Sequence, residues 1–86
     1  MRAGNTNLEM ENQEIIISIL KKLSGKPAPS PDEGLFDSGY LDSFALPDLL
    51  GELERQFGLK IPDADLNPRK FESVERIERY LASRGA

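Results

Sequence analysis

The 86-residue chain contains no cysteine and no histidine, and these two absences exclude several classes of function. Without cysteine there are no disulfides and no thiolate sites. Without histidine, a Ser-His-Asp hydrolase lacks its base, and the usual zinc ligand sets cannot be assembled. A serine in this chain is therefore a poor nucleophile by itself. We expect no enzymatic activity and no bound metal, and we expect that another protein performs any chemistry on this chain.

Long apolar runs are also missing. The densest one, residues 15–20, is far shorter than the ~20 residues that span a bilayer. Residues 1–7 lack the apolar region of a secretory signal. The composition, with 38% hydrophobic and 30% charged residues, is typical of a globular protein. We expect one cytoplasmic domain at residues 7–86 after a disordered N-terminus at residues 1–6.

Acidic residues are concentrated in the middle of the chain. Between Lys26 and Arg55 there are seven acidic residues and no basic ones, whereas the remainder has eleven basic and eight acidic residues. This distribution argues against a nucleic-acid partner, because phosphate backbones are bound by Lys and Arg. The expected partners are proteins with basic patches, since complementary charge steers association. An acidic surface that only keeps the protein soluble is the open alternative.

Apolar residues at helical spacing predict an all-α fold. The predicted helices cover about residues 8–23, 43–57, 68–71 and 74–83. Asn67 as a cap and Pro68 as the first helical residue define the short third helix, and Ser73 is expected to cap the fourth. The prediction is a small four-helix bundle, with three main helices and one short helix, in which the main helices bury their apolar stripes against one another.

A long first loop joins the first two helices, from Ser24 to Asp42. It begins with prolines at alternate positions, which prevent the first helix from continuing. Four apolar residues are expected to hold the loop on the bundle: Leu35, Phe36, Tyr40 and Leu41. Ser38, in an Asp-Ser-Gly sequence within the loop, has the composition of a turn.

Ser43 stands where the second helix is expected to open. The apolar face of that helix follows it: Leu46, Leu49, Leu50, Leu53 and Phe57. The serine hydroxyl could cap the helix, a contact worth ~1 kcal/mol. It could instead carry a phosphate ester, because helix N-termini attract anions. Position alone does not separate these two roles.

Three segments, Asp42–Phe44, Leu53–Gly58 and Ile61–Asp63, occur in the order and spacing found in the acyl carrier protein family. The chain resembles that family from about Leu35 to Leu81. This resemblance implies that a phosphopantetheinyl transferase attaches 4′-phosphopantetheine from coenzyme A to Ser43. Asp42 belongs to the same attachment motif.

The resemblance also implies a carrier function. The thiol of the arm would hold an acyl or aminoacyl group as a thioester, and ligase, synthase or transferase enzymes would exchange this cargo with a monomeric phosphoprotein. Residues 66–73 are similar to the D-alanyl carrier proteins, which have an aromatic residue near Phe71.

Residues beside Ser43 are candidates for partner binding. Asp48 and Glu52 are four positions apart, so we expect them to form an acidic edge on one helix face. Phe44 and Leu46 are the apolar candidates. Leu46, Leu49 and Leu50 could also shelter a fatty cargo, with core packing as the alternative.

Pro47 conflicts with a regular helix that begins at Ser43. It lacks the N–H that would bond the Ser43 carbonyl, so we expect a distorted first turn or a helix that begins about one residue late. Pro47 and Phe44 depart from the pattern of the acyl carrier family. These departures favour an alternative function, an unmodified helical protein-interaction domain that does not carry the arm.

Overall fold

The structure is a computed structural model that describes the backbone of residues 4–85 and the side chains of residues 12–85. Its three α-helices are α1 (Gly4–Ser24), α2 (Leu46–Phe57) and α3 (Val74–Ser83). Three short 3₁₀ turns lie at Ser43–Ala45, Asp63–Asp65 and Pro68–Phe71. No strand occurs among residues 4–85. The predicted all-α bundle of three main helices and one short helical segment is confirmed.

The core lies where the apolar stripes of the three helices meet. α1 packs against both α2 and α3. The stripes contribute most of the buried side chains: Ile16, Ile19, Leu20, Leu49, Leu50, Leu53, Val74, Ile77, Tyr80 and Leu81. Phe71 adds a fully buried ring whose centroid lies 5.0 Å from that of Tyr80, in an edge-to-face arrangement. Each such aliphatic side chain contributes about 1.5–3 kcal/mol of burial, so packing accounts for most of the helix stability.

The helix ends follow the local sequence. Gly58 adopts the left-handed conformation (φ 64°) that glycine favours, and its N–H bonds the Glu54 carbonyl at 2.9 Å to close α2. Asn67 and Ser73 cap the short turn and α3 as predicted, by accepting bonds from the N–H groups of Arg69 and Arg76.

α1 begins earlier than the sequence indicated, at Gly4 rather than near Leu8. The prediction rested on the apolar stripe, but helical hydrogen bonds can extend beyond the residues that pack. Of residues 1–6, which were expected to be disordered, residues 4–6 belong to α1, and residues 1–3 lie outside the described part of the chain. No helix among residues 4–85 is both long enough and apolar enough to cross a membrane.

The first loop is fixed to the bundle by the predicted anchors. Leu35, Tyr40 and Leu41 are buried, and Phe36 is partly buried against the core. The hydroxyl of Tyr40 donates to the Pro27 carbonyl at 2.8 Å, which holds the two ends of the loop together. The first loop is therefore fixed on the bundle and holds Ser43 at the start of α2.

Candidate functional site

The turn that opens α2 is capped by Asp42. Asp42 has an extended backbone, and its Oδ1 accepts a hydrogen bond from the N–H of Phe44 at 3.0 Å. Its carbonyl accepts from the N–H of Ala45 at 2.8 Å. The Ser43 carbonyl accepts from the N–H of Leu46, which completes the 3₁₀ turn. The interpretation of Ser43 as the helix cap is therefore wrong: Asp42 caps the 3₁₀ turn, and Ala45, the N-cap residue of α2, makes no side-chain cap bond.

Pro47 explains why the turn is 3₁₀ and why α2 starts at Leu46. It occupies the first turn of α2, where a backbone N–H has no intrahelical acceptor, so the missing N–H of Pro47 costs no hydrogen bond. A continuous α-helix from Ser43 would need the N–H that Pro47 lacks. The tighter turn bonds the Ser43 carbonyl to Leu46 instead. The predicted distortion of the first turn is confirmed, whereas α2 begins three residues after Ser43 rather than about one residue late.

The hydroxyl of Ser43 is the exposed polar group at this turn. Ser43 is exposed, and its Oγ makes no hydrogen bond to any residue whose side chain is described. Ser38 is also exposed, but its hydroxyl is engaged in hydrogen bonds. Its hydroxyl donates to Oε2 of Glu33 at 3.0 Å and accepts from the N–H of Tyr40 at 3.2 Å. Ser38 therefore stabilises a turn, as predicted, while the Ser43 hydroxyl is available to another molecule.

The acidic residues near Ser43 fall into two groups. Asp42 and Asp48 are exposed, and neither forms an ion pair within residues 12–85. Glu52 is different, because only 13% of its side chain is exposed and its Oε2 lies 3.4 Å from Lys22 and 3.2 Å from Arg55. The predicted acidic edge is thus presented by Asp48, whereas two cations compensate the charge of Glu52.

Sequence reasoning missed the contact between Lys22 and Glu52. The two residues are 30 positions apart and belong to different helices, α1 and α2. Neither helix alone indicates the pairing, which follows only from their packing. The pairing with Arg55, three positions after Glu52 on the same helix, could have been predicted from spacing.

The apolar candidates for partner or cargo binding also differ from one another in burial. Phe44 is 87% exposed, directly after Ser43 in the chain. Leu46 is partly buried, while Leu49 and Leu50 belong to the core. Core packing, the alternative raised for these leucines, therefore holds for Leu49 and Leu50. Phe44 is the large apolar group that an approaching protein would meet beside the serine.

This arrangement can present an alcohol but cannot activate it. The chain has no histidine, and Asp42 already uses Oδ1 as a cap. Within residues 12–85, the exposed Ser43 hydroxyl has no hydrogen bond that covalent attachment of 4′-phosphopantetheine would have to break. Activation of the hydroxyl would have to come from another protein.

Comparison with known proteins agrees with these features. A family model described as a phosphopantetheine attachment site matches residues 14–81. The chain is 35% identical over 69 residues to D-alanyl carrier protein 2 of Lactiplantibacillus plantarum, covering 79% of this chain and 86% of that protein.

Two further relatives extend the comparison. The D-alanyl carrier protein of Enterococcus faecalis is 37% identical over 70 residues, covering 79% of this chain and 90% of the relative. Aminoacyl carrier protein 1 of Bradyrhizobium diazoefficiens is 30% identical over 81 residues, covering 94% of this chain and 89% of the relative. The matches thus extend over most of the chain and most of each relative.

Proposed function

Because the chain belongs to the phosphopantetheine attachment site family, whose members are non-catalytic carriers with covalent 4′-phosphopantetheine, we propose that Ser43 carries the arm and that the cargo is aminoacyl. The observation that supports Ser43 most directly is its exposed hydroxyl, which has no hydrogen-bond partner within residues 12–85. The competing serine, Ser38, uses its hydroxyl within the first loop.

The chain's own part in attachment is to position one oxygen. A phosphopantetheinyl transferase supplies the base that this chain lacks. The Ser43 oxygen bonds to the phosphorus next to pantetheine, its proton passes to the transferase, and the pyrophosphate bond of coenzyme A breaks to release the nucleotide. Asp42 holds the turn that presents Ser43. Once attached, the arm supplies a thiol that carries the cargo as a thioester.

Two features support an aminoacyl cargo over a fatty one. The relatives reported above are named as D-alanyl and aminoacyl carriers. In addition, Leu49 and Leu50 are buried in the core, so sheltering a long acyl chain beneath α2 would require them to repack. A small polar cargo needs no such shelter and can stay in solvent on its arm.

The proposed partners are the transferase and the ligase, synthase or transferase enzymes that exchange the cargo. Exposed Asp48 would meet a basic patch on these enzymes, and exposed Phe44 would fill an apolar pocket beside Ser43. Contact next to the attachment residue would orient the arm toward the partner's active site. A monomeric state and a cytoplasmic location stay predictions.

Mass measurement tests the attachment residue. We would incubate the apo protein with coenzyme A and a broad-specificity phosphopantetheinyl transferase, and compare the wild type with Ser43→Ala and Ser38→Ala. The expected result is a gain of one phosphopantetheine group in the wild type and in Ser38→Ala, and none in Ser43→Ala. A gain in Ser43→Ala would move the site elsewhere. No gain in any of the three proteins would favour an unmodified interaction domain.

The cargo class needs a separate measurement. The same transferase can load the chain from acetyl-coenzyme A or octanoyl-coenzyme A, and methyl NMR spectra of the two products can then be compared. We expect the Leu49 and Leu50 methyl signals to coincide in the two products, because the longer chain stays outside the core. Displacement of these signals by the octanoyl group alone would indicate a fatty acyl carrier.

A further inference from the structure

A basic cleft lies on α3, built from residues that the attachment site does not use. It is an open depression of about 250 Å³, lined by Arg69, Lys70, Arg76, Arg79, Tyr80 and Ser83. Four of these six residues are cations, and none is a carboxylate. The cleft is therefore opposite in charge to the acidic segment around Ser43.

The sequence places these cations together by two devices. Arg76, Arg79, Tyr80 and Ser83 are spaced by three, four and seven positions from the first, which puts them on one face of α3. Arg69 and Lys70 come from the 3₁₀ turn that precedes α3 and packs against it. The helix supplies one wall of the cleft, and the turn supplies the other.

The cations in the cleft form no ion pair with the described side chains. Within residues 12–85 the ion pairs are those of Glu52 with Lys22 and Arg55. Of the three acidic residues nearest in sequence, Glu75 is exposed and forms no ion pair within residues 12–85, and the other two bond elsewhere. Glu72 accepts from the N–H of Asp37 at 3.4 Å, and Glu78 accepts from Gln13 at 3.0 Å. Four exposed cations thus stand together without an ion pair among residues 12–85, and a bound anion would offset their mutual repulsion.

Two of the cations are already held in position. Nη1 of Arg76 donates to the carbonyl of Arg69 at 3.4 Å, which ties α3 to the turn. Nζ of Lys70 lies 5.9 Å from the ring centroid of Tyr80. Tyr80 is itself buried and donates its hydroxyl to Asp65 at 2.7 Å, so the ring is a fixed wall. Cations that are positioned before binding lose less conformational entropy when an anion arrives.

We propose that this cleft binds the phosphate group of a phosphate ester or pyrophosphate. Guanidinium groups match the geometry of phosphate oxygens and form strong charge-assisted hydrogen bonds with them. The cleft is smaller than the ~300–1,000 Å³ of sites for drug-sized ligands, which suits a compact anionic group rather than a whole helix. The phosphate could belong to a free small molecule or to a lipid headgroup, and both share this chemistry.

NMR titration of the full chain with inorganic pyrophosphate tests the proposal. The cleft variant is Arg76→Gln/Arg79→Gln. The matched control is Lys21→Gln/Lys60→Gln, which removes the same charge from exposed positions outside the cleft. We expect saturable shifts confined to residues 69–83 in the wild type and the control. Affinity should be at least about tenfold lower in the cleft variant, because each charge-assisted hydrogen bond contributes about that factor.

Further arms identify the source of the phosphate. If a lipid headgroup is the ligand, phosphatidylglycerol vesicles should sediment the wild type and the control but not the cleft variant, and phosphatidylcholine vesicles should sediment none. Equal weakening of pyrophosphate binding in both double variants would overturn the proposal, since it would show binding to net charge alone. A polyglutamate peptide that competes as well as pyrophosphate at equal charge would also overturn it, in favour of an acidic protein partner. Neither result depends on whether Ser43 carries the arm.

Discussion

The Oδ1 atom of Asp42 accepts a hydrogen bond from the N–H of Phe44 at 3.0 Å, bridging over Ser43 in the chain. The aspartate of the Asp-Ser pair thus stabilises the start of α2 while the serine contributes only its backbone to the turn. The Ser43 hydroxyl can therefore be esterified without any loss of the cap. The cap and the proposed attachment residue are adjacent but have separate roles.

Replacement of Asp42 separates its cap from its charge. Asp42→Ala removes the acceptor, and we expect the free energy of unfolding to fall by about 1 kcal/mol. Asp42→Asn keeps an oxygen that can accept from Phe44, so the free energy of unfolding should stay within about 0.5 kcal/mol of the wild type. Urea denaturation provides the measurement. Equal losses in both variants would show that the charge, and not the hydrogen bond, stabilises the turn.

The sequence predicted the parts of this site that depend on local chemistry. Pro47 alone indicated a delayed helix start, because its missing N–H acts within one turn. The sequence did not indicate Asp42 as the cap, because aspartate and serine are both preferred N-cap residues and Ser43 follows one position later. Because Pro47 delays the start of the α-helix, the cap lies at Asp42, before the 3₁₀ turn. This consequence is apparent only from the structure of the turn.

Features that depend on packing between distant segments could not be predicted in the same way. The apolar stripes gave the buried faces of the three helices, but not which helix contacts which. The charge compensation of Glu52 by Lys22 depends on how α1 lies on α2. The basic cleft likewise requires the turn at Pro68–Phe71 to fold against α3.

The same substitution at two phenylalanines should have opposite consequences. Phe44→Ala removes a ring that is 87% exposed, so the free energy of unfolding should change by less than about 0.5 kcal/mol. The kcat/KM for loading by the transferase should nevertheless fall about tenfold if the ring is an anchor at the interface. Mass spectrometry of the loading reaction and urea denaturation measure the two effects.

Phe71→Ala is the matched core variant. The Phe71 ring is fully buried against Tyr80, and its removal should lower the free energy of unfolding by about 3 kcal/mol or more. At temperatures where this variant remains folded, its loading rate should stay near that of the wild type. If Phe44→Ala loaded normally, Phe44 would have no part in recognition by the transferase.

Tyr80 should make the protein sensitive to alkaline pH. Burial raises the pKa of Tyr80 to about 12, with further contributions from its hydrogen bond to Asp65 and from the charge of that carboxylate. Below pH 10 the phenol is protonated in both the folded and the unfolded chain. Between about pH 10 and 12 the unfolded chain loses this proton first. Stability should therefore fall as pH rises through this range.

Urea denaturation at several pH values measures this effect, with Tyr80→Phe as the test variant. Tyr80→Phe should lose about 1 kcal/mol at neutral pH, because Asp65 loses its donor. It should also show a smaller decline above pH 10. Tyr40→Phe, which removes the other tyrosine, is the control and should keep the contribution of Tyr80 to the decline. A decline that is the same in the wild type and in Tyr80→Phe would contradict the assignment to Tyr80.

Asp48 and Glu52 allow a test of whether partner binding depends on the charge at one position or on the net charge of the protein. Asp48→Asn and Glu52→Gln each remove one negative charge, but only Asp48 is presented to solvent. We expect Asp48→Asn to raise the KM for the transferase about threefold at low salt, because a rim charge mainly affects the association rate. The KM of this variant should depend less on salt concentration than that of the wild type, because one interaction that salt screens is absent.

Glu52→Gln should instead act on the fold. It removes the anion between Lys22 and Arg55, so the free energy of unfolding should fall by up to about 1 kcal/mol while the KM changes little. The KM measured across a range of salt concentrations compares the two variants directly. If both raised the KM equally, the transferase would respond to the net charge of the carrier. A difference confined to Asp48→Asn would mean that the enzyme contacts the first turn of α2, where Asp48 lies five residues after the proposed attachment residue Ser43.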